Sequence, residues 1–257
     1  MTERSFSPDR PLRLGTRGSP LAVAQAEETR ERLAAAHGLP REAFEIVPIK
    51  TTGDRVQDRA LSEIGGKGLF TKEIEEALTS GEIDLAVHSM KDMPVEQPEG
   101  LALTCYLPRE DVRDAFISLE FAGLDDLPRG AVLGSSSLRR RAQALHRRPD
   151  LQVVEFRGNV QTRLRKLADG VAAATFLACA GLRRLGMDEH AARAIAPETM
   201  LPAVAQGAIG IEQRTDDAAV TALLGAIDHA DTRQTMLAER AFLAGLDGSC
   251  RTPIGGL

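Results

Sequence analysis

The stretch PETMLPAVAQGAIG, residues 197–210, decides how this chain is read. Its two prolines and two glycines interrupt any helical or strand period, so it marks a break. A second break, LPREDVRD at 107–114, has the same character. Two breaks dividing one alternating chain predict two lobes joined by a double crossover, with a ligand-binding cleft between them.

On either side of these breaks, short apolar runs alternate with amphipathic alanine- and leucine-rich stretches. That alternation predicts an α/β protein with largely parallel sheets. One strand ends in LGTRGSPLAVAQ. Others are predicted over 44–49, 83–87, 101–105, 115–117, 131–133, 152–156, 173–177 and 209–212. Helices are expected after Pro20, Leu69, Leu138, Val160 and Gly181, with two more from about Asp216 and Asp231.

With 257 residues and 43% hydrophobic content, the chain can bury cores for about two domains. The opening MTERSFSPDRPLRLG has no apolar leader run, and no later stretch is long and uncharged enough for a membrane helix. A soluble cytoplasmic protein with no membrane partner is expected. Cys105, Cys179 and Cys250 are widely spaced and form no C-x-x-C pair, so neither a disulfide framework nor a metal site is expected. The net charge is −5, which argues against nucleic-acid binding. Of 32 basic residues only five are lysines, leaving 27 arginines. A GC-rich genome accounts for most of them, so any anion site must be local.

Three strand-to-helix turns share one composition. In LGTRGSPLAVAQ, Arg17 and Gly18 turn before Ser19-Pro20, an N-cap followed by a first helical residue. In VLGSSSLRRRAQAL, Ser135, Ser136 and Ser137 lead into a helix with Arg139 and Arg140 in its first turn. In VVEFRGNVQTRLRKL, Arg157, Gly158 and Asn159 turn and Arg163 follows. Helix N-termini hold anions and disfavour cations, so arginine there opposes stability. Repeated three times, the pattern points to a polyanionic ligand at the carboxyl edge of the sheets; one turn alone would read equally as a solvated arginine.

In IDLAVHSMKDMPVEQPEG a strand is expected to end at Val87, placing His88, Ser89, Lys91 and Asp92 after it. In an arginine-lined site, a lone carboxylate is the group able to stabilise a cation or deliver a proton, which makes Asp92 the candidate catalyst. The plain alternative is an exposed Lys-Asp pair. His88 reads as a packing residue ahead of a base. SEIGGKGLFTKEIEEAL fails as a phosphate loop, because Leu61 replaces the first glycine and no Ser/Thr follows Lys67. With the preceding TTGDRVQDRALSE it reads as a lid closing at Lys67 and Phe70, or as a surface loop. Cys105 and Cys179 sit in apolar strands and read as buried thiols. Cys250 lies among Gly248, Ser249 and Arg251, a setting that favours a reactive thiolate or an attachment point.

Taken together, GTRGSPLA, TTGD, GGKGLFTKEIEEAL, VHSMKDMP, GSSSLRRR, FRGNVQTRL, LPAVAQGAIGIE and GSCRTPIGG resemble the porphobilinogen deaminase (hydroxymethylbilane synthase) family, in order from Leu12 to Leu257. The resemblance implies a transferase of tetrapyrrole synthesis. It would join four porphobilinogens head to tail with loss of ammonia, then hydrolyse the product to hydroxymethylbilane. It implies a dipyrromethane cofactor in thioether linkage to Cys250, and an aspartate at Asp92 that protonates the leaving amine and stabilises the azafulvenium cation. Carried over by position, Lys91, Asp92, Ser137, Arg139, Arg140, Arg163 and Gly181 correspond to cofactor contacts. Arg17, Ser19, Lys67, Phe70, Ser135, Ser136, Arg157, Asn159 and Gln206 correspond to substrate contacts. The implied fold is two periplasmic-binding-protein-like (type II) lobes, 1–107 with 203–226 and 108–202, acting as a monomer. A truncated start of a small C-terminal α/β domain would occupy 227–257.

Two rival readings use the same features. A non-catalytic anion-binding protein on this fold leaves Cys250 idle. The effector-binding part of a transcription regulator needs a DNA-reading segment, and no basic helix-turn-helix pattern precedes residue 12.

Overall fold

The structure, a computed structural model, describes residues 6–55, 68–248 and 252–257. In chain order the elements begin with β1 (Leu12–Arg17), α1 (Pro20–His37), β2 (Phe44–Ile49), α2 (Thr52–Arg55), α3 (Lys72–Thr79), β3 (Leu85–Ser89) and β4 (Leu101–Tyr106). They continue with β5 (Asp114–Ile117), β6 (Val132–Gly134), α4 (Leu138–Arg147), β7 (Gln152–Val154), α5 (Val160–Ala168), β8 (Ala174–Ala178), α6 (Cys179–Arg184) and α7 (Asp188–Ala191). The last are β9 (Ile209–Arg214), α8 (Ala218–Gly225) and α9 (Ala230–Gly245). The chain divides into two compact units: one within 1–56, 66–109 and 208–241, the other built chiefly of 110–207 and 242–257. The crossings fall at Arg109/Glu110 and Gly207/Ala208, inside the two predicted breaks. Residues 227–257 are shared between the units, the boundary lying within α9.

Unit 1 is a five-stranded sheet in the order β2-β1-β3-β9-β4. β1 runs parallel to β2 and β3, whereas β9 is antiparallel to both β3 and β4. The sheet is therefore mixed, which corrects the expectation of largely parallel strands. The chain leaves the sheet after β4 and re-enters beside it as β9, so the two meet head to tail, with Tyr106 opposite Gly210. Helices cover both faces. Leu12, Leu14, Leu85, Val87 and Ile211 pack on Ala26 and Leu33 of α1 and on Val220 and Leu224 of α8. On the other face Ile74, Ala77 and Leu78 of α3 meet Ile83, Ala86 and Leu101. Close approach is built in at Gly15, where a Cβ would lie 2.2 Å from Ile83 Cδ1.

Unit 2 is a four-stranded sheet, β5-β8-β6-β7, with β6 parallel to β7 and β8 and β5 antiparallel to β8. Phe156, Leu167, Leu177 and Leu182 fill one face, and Phe116, Leu133, Ala144, Phe176 and Met200 the other. Two of the boundaries that differ from expectation bear on the site. β3 runs to Ser89, so His88 and Ser89 lie within it, because His88 has a buried partner in Glu212 on β9. α6 begins at Cys179, which puts Gly181 inside the helix and buried. Burial pushes the Cys105 thiol up to about 12 and the Cys179 thiol up to about 11, consistent with packed, unreactive sulfurs. No helix among the described residues is long and apolar enough to cross a membrane.

Candidate active site

In unit 1 the polar groups gather where β1 and β3 end. Ser19 caps α1, its Oγ accepting from Ala22 N–H at 3.3 Å, with Pro20 as the first helical residue. Arg17, the last residue of β1, lays its guanidinium edge on Asp54: Nε donates to Oδ2 at 3.3 Å and Nη2 to Oδ1 at 2.5 Å. The Phe70 ring lies 4.1 Å from Arg17 Cζ. Asp92 Oδ2 is 4.0 Å from Arg17 Nη1, and the Asp92 side chain is 36% exposed, so the carboxylate is within reach of an incoming molecule. Lys91 and Asp92 belong to a single 3₁₀ turn, Met90–Asp92, closed by Met93 N–H donating to Met90 O and held at its start by Met90 N–H donating to Ala208 O. Beneath that turn, Ser89 Oγ pairs with buried Gln25, and His88 Nε2 lies 3.2 Å from Glu212 Oε2 in the interior.

In unit 2 the site is built on a buried carboxylate. Asp114, the first residue of β5, accepts from Arg139 Nη2 at 2.7 Å, Arg140 Nη2 at 2.7 Å and Gln206 Nε2 at 2.9 Å. Arg139 also donates to Leu201 O, and Arg140 to Phe176 O. Burial pushes the Asp114 carboxyl up, but Arg140 and Arg139 outweigh it and hold the group well below the usual carboxylate range. Two guanidinium groups and one carboxylate leave this buried set, among the described residues, with a surplus positive charge. The Nε–H groups of Arg139 and Arg140 have no hydrogen-bond partner among the described residues. This explains arginine at a helix N-terminus: the first turn of α4 faces a buried anion.

Next to this cluster, β6 ends in Gly134, where a Cβ would stand 2.4 Å from the Phe156 ring, so only glycine lets that ring close over the strand end. Ser136 Oγ accepts from Phe156 N–H at 2.9 Å, Ser135 Oγ from Ser137 N–H at 3.3 Å, and Ser137 caps α4 by accepting from Arg140 N–H at 3.4 Å. Asn159 caps α5 through Thr162 N–H at 2.8 Å, and Arg163 Nε donates to Gly158 O at 2.9 Å. Gly158 has φ +117°, a backbone that disfavours any side chain.

The structure thus brings Arg17, Phe70 and Asp92 together in unit 1, and Arg139, Arg140 and Gln206 together in unit 2. Lys67 and Cys250 lie outside the described residues. The sequence reading missed Asp54 and Asp114, although each carried a signal: Asp54 closes the TTGD motif, and Asp114 closes the break at 107–114.

The family model described as "Porphobilinogen deaminase, dipyromethane cofactor binding domain" matches residues 12–222. The chain belongs to the porphobilinogen deaminase family. It is 69% identical over 250 residues to the porphobilinogen deaminase of Paracoccus denitrificans, covering 97% of this chain and 80% of that one. It is 60% identical over 248 residues to the chloroplastic porphobilinogen deaminase of Pisum sativum, covering 95% and 67%. Among solved structures, the methionine binding protein MetQ superposes with a TM-score of 0.49 at 14% identity, over 91% of this chain and 96% of that one. As a member of the porphobilinogen deaminase family the chain is a transferase of tetrapyrrole synthesis, and dipyrromethane is the family's cofactor. The donor set of unit 2 fits that group. Its carboxylate arms call for paired N–H donors and positive charge, and the serine hydroxyls and the surplus charge of Arg139, Arg140 and Asp114 have that character.

Proposed function

We propose that this chain condenses porphobilinogen stepwise into hydroxymethylbilane, with Asp92 as its acid group and Cys250 as the covalent anchor of dipyrromethane. The observation that carries the proposal is the placement of Asp92: partly exposed, on a rigid turn, with Arg17 Nη1 at 4.0 Å. There Arg17 binds a carboxylate arm of the substrate, and Asp92 gives a proton to the departing amine. As a carboxylate, Asp92 then faces the cation left on the substrate, and opposite charge at close range favours that state. Arg139, Arg140, Arg163, Ser137, Lys91 and Gly181 hold the cofactor. When bound, dipyrromethane supplies the pyrrole ring to which the first substrate is joined. Ser135, Ser136, Arg157, Asn159 and Gln206, with Ser19, Lys67 and Phe70, meet the substrate. In this reading the protein is a cytoplasmic monomer without nucleic-acid or membrane partners, in keeping with its net charge of −5 and its scattered cysteines.

Intact-mass measurement tests the proposal. The wild-type protein is expected to carry a dipyrromethane adduct and to convert porphobilinogen, and Cys250→Ser to do neither. An unmodified protein with full activity would refute the attachment.

A further inference from the structure

Arg17 is held by more than its place at the end of β1. α2 follows β2, the parallel neighbour of β1, and its turn brings Asp54 back over the strand end. Thr51 is buried, and its Oγ1 donates to Asp54 Oδ2 at 2.7 Å while Asp54 N–H donates to Thr51 O at 3.1 Å. Gly53 N–H donates to Leu69 O at 2.8 Å, and a Cβ at Gly53 would fall 2.2 Å from the Phe70 ring. The same turn therefore fixes both Asp54 and Phe70. Burial pushes the Asp54 carboxyl up, but its bonds from Arg17 and Thr51 prevail and keep it below the usual range, so it is ionised at neutral pH.

A guanidinium is a planar fork with five N–H donors. Asp54 engages one edge of it, through Nε and Nη2, and Phe70 covers a face. The remaining edge, Nη1 with the second N–H of Nη2, lies on the side of Asp92. At 4.0 Å the Nη1–Asp92 separation exceeds hydrogen-bond length. An arginine side chain without the Asp54 anchor would rotate to bond the next carboxylate, Asp92, and close the position a ligand needs.

We propose that Asp54 is a positioning residue for Arg17, holding its guanidinium so that one edge stays available to a substrate carboxylate beside Asp92. The proposal rests on the reading of Arg17 as a substrate contact, and the experiment separates the two. Steady-state kinetics with porphobilinogen are measured for the full-length wild type, Arg17→Ala, Asp54→Asn and the double variant. Asp54→Asn is expected to raise KM about tenfold, the size of one lost charge-assisted hydrogen bond, with much less change in kcat. Arg17→Ala is expected to raise KM at least as much, and the double variant to be no worse than Arg17→Ala.

If Arg17→Ala raises KM while Asp54→Asn leaves it at the wild-type value, or if the two effects multiply, the positioning role is overturned and the Arg17 reading stands. If Arg17→Ala leaves KM unchanged, the Arg17 reading fails and takes the proposal with it. Should Asp54→Asn not fold, Asp54→Glu decides. It keeps the charge on a longer arm, so a raised KM at unchanged kcat supports the role and wild-type constants overturn it.

Discussion

Both units pair arginine with aspartate, at the end of β1 in unit 1 and in the first turn of α4 in unit 2, yet the ratios are opposite. In unit 2, Arg139 and Arg140 share Asp114, in full burial, and the set carries a surplus positive charge. In unit 1, Arg17 stands between Asp54 and Asp92, partly exposed, and among the described residues these three side chains carry a surplus negative charge. The number of arginines therefore does not say what a site holds; the ratio within each paired set does. A surplus of guanidinium suits a carboxylate-bearing ligand, and a surplus of carboxylate suits a developing cation.

The largest effect is expected where the carboxylate surplus does chemistry. Asp92→Asn should lower kcat by about 10²–10⁴, the usual contribution of a positioned acid, while shifting stability by no more than about 0.5 kcal/mol. Turnover and urea unfolding on one preparation check both halves. In unit 2 the same change should do the reverse. Asp114→Asn strands two buried guanidinium groups and should cost about 3–5 kcal/mol by urea unfolding. The pH dependence follows in sign: a carboxyl whose folded value is depressed stabilises above its unfolded value and loses that contribution only as pH falls through the folded one. Unfolding free energy attributable to Asp114 should therefore stay level from pH 7 to about pH 5 and decline only in strong acid, where its native partners still hold it ionised.

Gly134→Ala sharpens the comparison further, because the added methyl would drive Phe156 off the Ser136 bond. A loss of about 1–3 kcal/mol is expected, read from thermal unfolding. The smallest effects belong to a matched pair of caps, Ser19→Ala in unit 1 and Asn159→Ala in unit 2, each worth about 1 kcal/mol. Both residues are read as substrate contacts, so each variant should also raise KM for porphobilinogen, and a wild-type KM at either position would remove that residue from the contacts.

Much of this architecture was legible in sequence. β2 occupies 44–49 and Ser19 is an N-cap as read, and the turns read at Ser137 and Asn159 are caps of the same kind. The direction of β9 was not legible, since an apolar run has the same pattern whichever way it enters a sheet. The starts of α3 and α6 differ by two or three residues: a turn closed by Thr71 N–H donating to Gly68 O delays α3, and α6 follows β8 with no intervening loop, neither of which periodicity registers. At the candidate site, residue types near a strand end singled out Arg17, Arg139, Arg140 and Asp92 as candidates, and the structure sets each beside an oppositely charged side chain. What they face depends on contacts across many residues: Asp114 is 25 positions from Arg139, and Asp54 is 37 from Arg17. A carboxylate in an apolar strand and one in a polar turn read alike until folding buries the first.

The most direct test of the opposite surpluses is the intact mass of two soluble variants purified in parallel, Arg140→Gln and Asp92→Asn. The account predicts that Asp92→Asn retains the dipyrromethane adduct on Cys250 and lacks turnover, whereas Arg140→Gln lacks the adduct. An Arg140→Gln protein with a full adduct, or an Asp92→Asn protein without one, would contradict it.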